Sequence, residues 1–197
     1  DLFTSESVGL FVRINSGVVK LTKFTNAQSV KGEILKVLSS TDAATSWTLE
    51  TGLWDATNGY PGSGTFFDDR LMVAGSTANP ETVWGSVVGD YENHTPGIDD
   101  SDAVQFTLRG RKVNLIRWIE PRDYLMLGTV GSEWRLGPQD IGEPLTPLNV
   151  VAKQVTTKGC ADIMPVTVDG STLFVQRHGR KLRELAYDYE RGEQGGY

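Results

Sequence analysis

The sequence predicts an all-β protein, with a small N-terminal antiparallel β module (residues 1–58) followed by blade-like four-stranded meanders of an incomplete β-propeller (residues 59–197). The composition supports this, because 22 glycines and only 22% charged residues in 197 are more typical of a turn-rich β protein than of a helical one. Short apolar runs are separated by Gly, Asp, Asn and Pro, as in antiparallel meanders. One pattern of strands and turns also recurs three times after residue 59, which favours stacked repeats.

The first 58 residues predict a few short antiparallel strands. Apolar residues predict strands at 10–14, 18–24 and 47–50, and the second of these alternates as a half-buried strand does. Residues 15–17, Asn-Ser-Gly, supply a turn, since Asn and Gly tolerate positive φ. Residues 30–37 fit either a strand or a helix, and a weak helix-start signal lies near the N-terminus. Glycine and proline between residues 58 and 64 then mark a domain boundary.

The recurring unit is a pair of apolar strands around a short polar turn, followed by a Gly-containing loop and a third strand. Leu71, Leu125 and Leu173 each open the strand after the turn, so the units follow one another at 54 and 48 residues. That spacing suits a four-stranded propeller blade. The turns are residues 68–69, 122–123 and 169–170. The third strands each hold one large apolar residue: Trp84, Trp134 and Leu182. Fourth strands are predicted at 104–108 and within 148–156.

A generic antiparallel sheet, with hairpins that resemble one another by chance, is the alternative interpretation of the same pattern. Blades are favoured because a meander hides one face against the next meander, so that stacked units bury a continuous core. Three units do not close a ring, which would leave exposed flanks for the rest of a longer protein to cover. The residues expected to be mostly buried are Phe66, Leu71, Val73, Trp84, Trp118, Leu125, Leu127, Trp134, Phe174 and Leu182.

The segment from residue 66 to residue 96 carries a series of motifs in a specific order. They are Phe66-Phe67, Arg70-Leu71, Ala74-Gly75, Pro80, Trp84-Gly85-Ser86 and Gly89-Asp90-Tyr91. In this order they resemble the middle of tail tubular protein B, the nozzle protein of short-tailed bacteriophages and their prophage relatives. The resemblance continues in Asp99-Asp100, in residues 131–134, 158–160 and 173–177, and in residues 183–187, and the small N-terminal module also resembles a domain of that family.

The resemblance implies a structural protein that is several times longer than this chain. Since the first residue is Asp rather than Met, we expect the chain to be a fragment of such a protein. The family implies a propeller-containing platform that assembles with itself as a hexameric ring around the DNA exit channel. Its other partners would be phage tail proteins and the passing DNA. Its location would be the virion tail, with assembly in the host cytoplasm.

Acidic residues are the first candidates for chemistry. Asp99, Asp100 and Asp102 could bind a hard cation such as Ca²⁺, which takes several oxygen ligands at close spacing. The loop lacks the EF-hand pattern, so a solvated turn is the favoured interpretation and no metal site is predicted. Asp68 and Asp69 are adjacent on a strand end and point opposite ways, which suits a turn better than a pair of catalytic carboxylates.

Other catalytic patterns are missing from the sequence. His94 and His178 are the only histidines, and neither a Gly-x-Ser-x-Gly elbow nor a Walker-type phosphate loop occurs. Cys160 is the only cysteine, which excludes an internal disulfide and a thiolate zinc site, and its expected role is a small buried filler. We therefore predict no enzyme, no catalytic residues and no cofactor. A carbohydrate-binding or carbohydrate-active propeller remains the alternative, with Trp118 and Trp134 as possible sugar platforms.

Two basic runs lie at predicted turns between strands. One contains Arg109, Arg111 and Lys112, and the other contains Arg177, Arg180 and Lys181. If such turns line a channel, they could contact DNA phosphates without reading the base sequence. The net charge of −6 argues against a dedicated nucleic-acid binder, and solvated hairpin tips are the alternative interpretation. No apolar run is long enough to span a bilayer, so no membrane segment is predicted.

Overall fold

The computed structural model describes residues 2–110, 114–140, 142–188 and 193–196. Within these residues the regular structure is almost entirely β, in four antiparallel four-stranded sheets. The chain divides into two compact units, Asp1–Asp55 and Ala56–Tyr197. The structure therefore confirms the predicted all-β fold with blade-like four-stranded meanders.

The first unit is a single antiparallel sheet. A 3₁₀ turn at Ser5–Ser7 precedes the strands β1 (Phe11–Ile14), β2 (Gly17–Asn26), β3 (Ser29–Lys36) and β4 (Trp47–Glu50), which are ordered β3-β2-β1-β4. Asn15 and Ser16 join β1 to β2 with φ of 46° and 59°. Two successive positive-φ residues give the turn that matches the twist of a hairpin. The ambiguous segment at 30–37 is thus resolved as a strand.

The second unit contains three meanders, which we call the first, second and third blades. The first comprises β5 (Ser63–Phe67), β6 (Arg70–Ala74), β7 (Thr82–Gly85) and β8 (Val104–Thr107). The second comprises β9 (Ile116–Pro121), β10 (Leu125–Thr129), β11 (Glu133–Pro138) and β12 (Val150–Thr156). The third comprises β13 (Val166–Val168), β14 (Ser171–Val175), β15 (Leu182–Asp188) and β16 (Glu193–Gly196). In each blade the strands lie side by side in chain order.

Short polar turns set these meanders, as predicted at two of the three places. Asp68 and Asp69 have φ of 49° and 53°, and Asp169 and Gly170 have φ of 46° and 81°. Aspartate and glycine tolerate this left-handed region better than most residues, so each pair closes a tight two-residue hairpin. Between β9 and β10 the connection is longer by one residue, because Pro121 pairs directly with Leu125.

The second blade is covered on both faces. On one face, Ile119, Leu125 and Leu127 belong to a buried cluster that also contains Met72 and Val83 of the first blade. On the opposite face, Trp118 and Met126 cluster with Phe174 and Leu185 of the third blade and with Cys160. The alternation of side chains along β9 and β10 therefore serves two separate cores, which is the arrangement of stacked blades rather than of a single continuous sheet.

The predicted core is partly wrong. Phe66 is 60% exposed and Leu182 is 66% exposed, and Leu71 and Val73 are only half-buried. In β6 the buried residues are instead Arg70, Met72 and Ala74. A strand has a side-chain period of two, so choosing the other set of alternating residues reverses the face that is buried. The prediction is confirmed for Trp84, Trp118, Leu125, Leu127, Trp134 and Phe174.

Candidate functional site

The turn from β14 to β15 forms a basic surface cleft of about 540 Å³. Among the residues that the structure describes, it is lined by Gln176, His178, Arg180 and Lys181. The Gly179 N–H donates to the carbonyl of Gln176 at 2.7 Å, and the Gln176 N–H donates to the carbonyl of Lys181 at 2.8 Å. Gly179 has φ of 70°, a conformation that suits glycine. The turn therefore holds four hydrogen-bonding side chains around one opening.

The described side chains of the cleft offer mainly hydrogen-bond donors to a ligand. Arg183 Nε donates to Gln176 Oε1 at 3.0 Å, so the side-chain oxygen of Gln176 is already engaged as an acceptor. Its amide nitrogen carries two N–H groups and can only donate. Arg180 and Lys181 are cationic, and none of the described lining residues carries a carboxylate. In a chain with a net charge of −6, this is a local concentration of positive charge.

Of the predicted basic residues that the structure describes, Arg180 and Lys181 line the cleft together. Arg177 is exposed in the same turn, where its N–H donates to the carbonyl of Gly159, but it does not line the cleft. Arg109 is exposed after β8 of the first blade. Arg111 and Lys112 lie outside the described residues. Sequence reasoning missed two members of the cleft, although both lie in the predicted turn: Gln176 and His178.

The acidic loop at residues 99–102 is an exposed turn organised around a buried arginine. Arg70 is 1% exposed, and its two terminal nitrogens donate to five backbone carbonyls. Those carbonyls belong to Ser86, Asp100, Ser101, Asp102 and Leu145. Burial lowers the pKa of Arg70, while the charges of Asp68 and Asp102 raise it. The guanidinium thus takes the carbonyl oxygens that a bound cation would use.

The carboxylates around this loop also have structural partners. Asp102 Oδ2 accepts from the Asp99 N–H at 3.0 Å, and Asp68 Oδ2 accepts from the Leu145 N–H at 3.0 Å. The carbonyl of Asp69 accepts from the Gly89 N–H at 2.9 Å. Among the described residues, no three His, Cys, Asp or Glu side chains lie together as metal ligands. The turn interpretation of Asp68 and Asp69 is confirmed.

A buried carboxyl and a buried thiol lie between the second and third blades. Glu133 is fully buried at a bulge of β11, where its Oε2 accepts from Thr156 Oγ1 and from the Lys158 N–H. Burial raises the pKa of Glu133, and these hydrogen bonds only partly offset that effect. Burial also raises the pKa of Cys160 to about 12, with a further contribution from the charge of Glu133. The thiol is therefore protonated at neutral pH.

We expect Cys160 not to react with iodoacetamide in the folded protein. Its side chain is buried, and the thiolate is the reactive form of cysteine. Mass spectrometry after exposure to the reagent at pH 8 should show an unmodified chain, whereas the same reagent in concentrated urea should label Cys160. Rapid labelling without denaturant would contradict the buried position of the thiol.

We expect Glu133→Gln to stabilise the protein increasingly as the pH rises. A carboxyl whose pKa is higher in the folded state than in the unfolded state loses stability as the pH rises from the unfolded pKa through the folded pKa. Glutamine does not ionise and keeps an acceptor for Thr156. Urea unfolding of both proteins between pH 4 and pH 8 should show a difference that grows with pH.

The control for this series is Glu143→Gln, because Glu143 is exposed. Its stability should follow that of the unsubstituted protein at every pH. If the Glu133→Gln curve also ran parallel to it, the fold would not be raising the pKa of Glu133.

The remaining candidates are buried or half-buried. Trp118 is inaccessible, and Trp134 donates from Nε1 to Ser132 Oγ at 2.8 Å within the core, so neither ring is a surface platform for a sugar. His94 lies half-buried in the loop after β7, where burial lowers its pKa. Among the predicted site residues, it is therefore the basic cleft that offers an accessible group of converging side chains.

Comparisons with known proteins give no assignment. No protein-family model matches the chain, and no curated protein matches it. In the described part of the chain, no helix is long and apolar enough to cross a membrane.

Proposed function

We propose that this chain is a structural component of a bacteriophage tail, part of the nozzle ring that surrounds the DNA exit channel. The observation that carries the proposal is the series of three stacked four-stranded blades, the first of which contains the segment that resembles tail tubular protein B. Such stacking is the architecture that the resemblance implies. In this proposal the protein performs no catalysis.

The residues of the resemblance serve the scaffold. Arg70, Ser86 and Asp100 all belong to it, and Arg70 donates to the carbonyls of the other two at 2.6 Å. The Ser86 hydroxyl also accepts from the Leu71 N–H at 3.0 Å. These bonds fix the long loop between β7 and β8 against β6. These residues therefore stabilise the backbone of the segment, as is expected in a rigid structural platform.

The outer faces of the blade series support assembly into something larger. In the third blade, Val166, Val168 and Leu182 are exposed on the face opposite Phe174. In the first blade, Phe66 is exposed and contacts Tyr91 edge-on at 5.1 Å between ring centroids. Apolar sheet faces of this kind are usually covered by a partner. We assign their covering to further blades of a longer parent protein and to the neighbouring subunit.

Ring closure would use contacts between unlike surfaces. Symmetric rings are built from heterologous interfaces, in which one patch meets a different patch on the next copy. The hexamer number, the other tail proteins as partners and the location in the virion tail all come from the family resemblance. Basic turns such as those at Arg109 and Arg180 would face the passing DNA and contact its phosphates.

Electron microscopy of the full-length parent protein tests this proposal. We expect particles with a ring of subunits and a central pore wide enough for duplex DNA. Charge reversal at Arg109, Arg111 and Arg180 should hinder genome passage and leave ring assembly intact. A parent that forms no ring would overturn the proposal. Micromolar binding of an oligosaccharide that is lost on substitution of Asp99 or Asp100 would favour a carbohydrate-binding propeller instead.

A further inference from the structure

We propose that the cleft at the β14–β15 turn is a phosphate-binding site, which takes successive phosphate groups of a nucleic-acid strand or of a polyphosphate chain. The inference deepens the DNA contact of the proposed function by naming the residues that hold the phosphates. The choice of a nucleic-acid strand as a ligand rests on the proposed function, whereas the site itself is argued from the lining residues and the turn that carries them.

The chemistry of the lining selects an anion. Arg180 offers a fork of N–H groups, Lys181 offers an ammonium and Gln176 offers the amide nitrogen left over from its bond to Arg183. His178 adds an imidazole N–H. Of the lining side chains that the structure describes, none is a carboxylate, so the described lining offers no charged ligand to a cation.

The number and spread of the donors favour phosphate over a single carboxylate. A guanidinium matches the oxygens of phosphate bidentately, and an ammonium binds phosphate as a point charge. Four donor side chains around about 540 Å³ offer more hydrogen bonds than one carboxylate can accept, and the space holds more than one phosphate group. A run of phosphates satisfies both the charge and the volume.

The base of the cleft is fixed to the body of the second unit. The Arg177 N–H donates to the carbonyl of Gly159 at 2.9 Å, and the Ala161 N–H donates to the carbonyl of Val175 at 2.8 Å. The Cys160 N–H in turn donates to the carbonyl of Thr129 in the second blade at 2.8 Å. The donors therefore project from a backbone that is ordered before any ligand arrives, which lowers the entropic cost of binding.

The test is a binding titration of this protein with two probes, a fluorescent ten-nucleotide oligothymidylate and inorganic tripolyphosphate as its competitor. Anisotropy at low ionic strength should show weak binding of the oligonucleotide, and tripolyphosphate should displace it. The logarithm of the affinity should fall linearly with the logarithm of the salt concentration, by about 0.7 for each phosphate contact.

Substitutions identify the cleft as the site. Arg180→Gln and Lys181→Gln should each weaken binding by about fivefold or more, and each should reduce the salt slope. The matched control is Lys31→Gln, which removes the same charge as Lys181→Gln from an exposed position that does not line the cleft and should change the affinity by less than about twofold. Because Arg180, Lys181 and Lys31 are all exposed, circular dichroism should show that these variants keep the fold.

Each outcome of the titration either supports or contradicts the phosphate site. Displacement by tripolyphosphate supports the site, and binding of tripolyphosphate without the oligonucleotide supports it with polyphosphate as the source. The proposal is overturned if neither probe binds, if tripolyphosphate fails to displace bound oligonucleotide, or if Lys31→Gln weakens binding as much as Lys181→Gln. None of these results bears on whether the parent forms a ring, so the two proposals can fail independently.

Discussion

Replacing Arg70 by methionine is expected to lower the free energy of unfolding of the second unit by more than about 3 kcal/mol, since each buried carbonyl left without a donor costs about 1–3 kcal/mol. Five carbonyls accept from this one guanidinium, and they belong to Ser86 just after β7, to the acidic loop and to Leu145. Methionine fills the space but donates nothing. Urea unfolding followed by tryptophan fluorescence measures the loss.

The control is Arg117→Met in the same unit. Arg117 pairs with Asp162, whose side chain is 72% exposed, and exposed ion pairs contribute about 0–1 kcal/mol. Arg70→Lys should be intermediate, because an ammonium keeps the charge but cannot reproduce the fork of the guanidinium. If Arg70→Met were as mild as Arg117→Met, the carbonyls would be finding other donors, and the loop would not depend on Arg70.

Replacing Trp118 by alanine is expected to cost about 3–5 kcal/mol, the usual range for removing a fully buried tryptophan. Its ring lies in the core between the second and third blades, 5.9 Å from the ring of Phe174 between centroids. The third blade meets the second through this small cluster, so the variant should lose stability there first. Thermal unfolding monitored by circular dichroism is the measurement.

A second substitution shows whether the loss comes from this packing. Gly128 lies directly opposite Trp118 on β10, and a Cβ added at Gly128 would come within 2.0 Å of the indole ring. Gly128→Ala should therefore destabilise the protein by about 3 kcal/mol or more, the upper end for overpacking a core. In the Trp118→Ala background the clash is gone, and the same substitution should cost little.

The matched control for the cycle is Gly64→Ala. Gly64 is exposed in β5, and its added Cβ would meet its nearest neighbour, a methyl of Val73, at 3.4 Å. We expect a change within about 0.5 kcal/mol, as for most surface substitutions. Equal costs of Gly128→Ala in both backgrounds would show that the glycine is needed for a reason other than the indole ring.

The strands could be predicted because their ends are marked locally. Asp68-Asp69 and Asp169-Gly170 are typical turn sequences, and the short apolar runs on either side favour strands. The buried face of β6 could not be predicted from alternation, since Leu71, Met72 and Val73 are all apolar and no polar residue among them marks the exposed face. The residue that decides the face is Arg70, which a burial rule would place outside.

The candidate site likewise has a part that could be predicted from the sequence and a part that could not. Arg180 and Lys181 could be expected to lie together because one hairpin turn contains both. The engagement of the Gln176 side-chain oxygen depends on Arg183, seven residues later, and spacing rules do not predict such a side-chain contact. Arg70 binds carbonyls that lie 16, 30 and 75 positions away in the sequence. These contacts form only when the blades are assembled, so they could not be predicted from the sequence.

The double coverage of the second blade has a consequence for amide hydrogen exchange. Every residue of β10 is buried, and the strand is paired on both sides, by β9 and by β11. Its N–H groups meet solvent only after both neighbouring blades have separated, so their protection should equal the global free energy of unfolding. The third blade is held by the smaller of the two clusters and should exchange through an earlier, partial opening that leaves β10 protected.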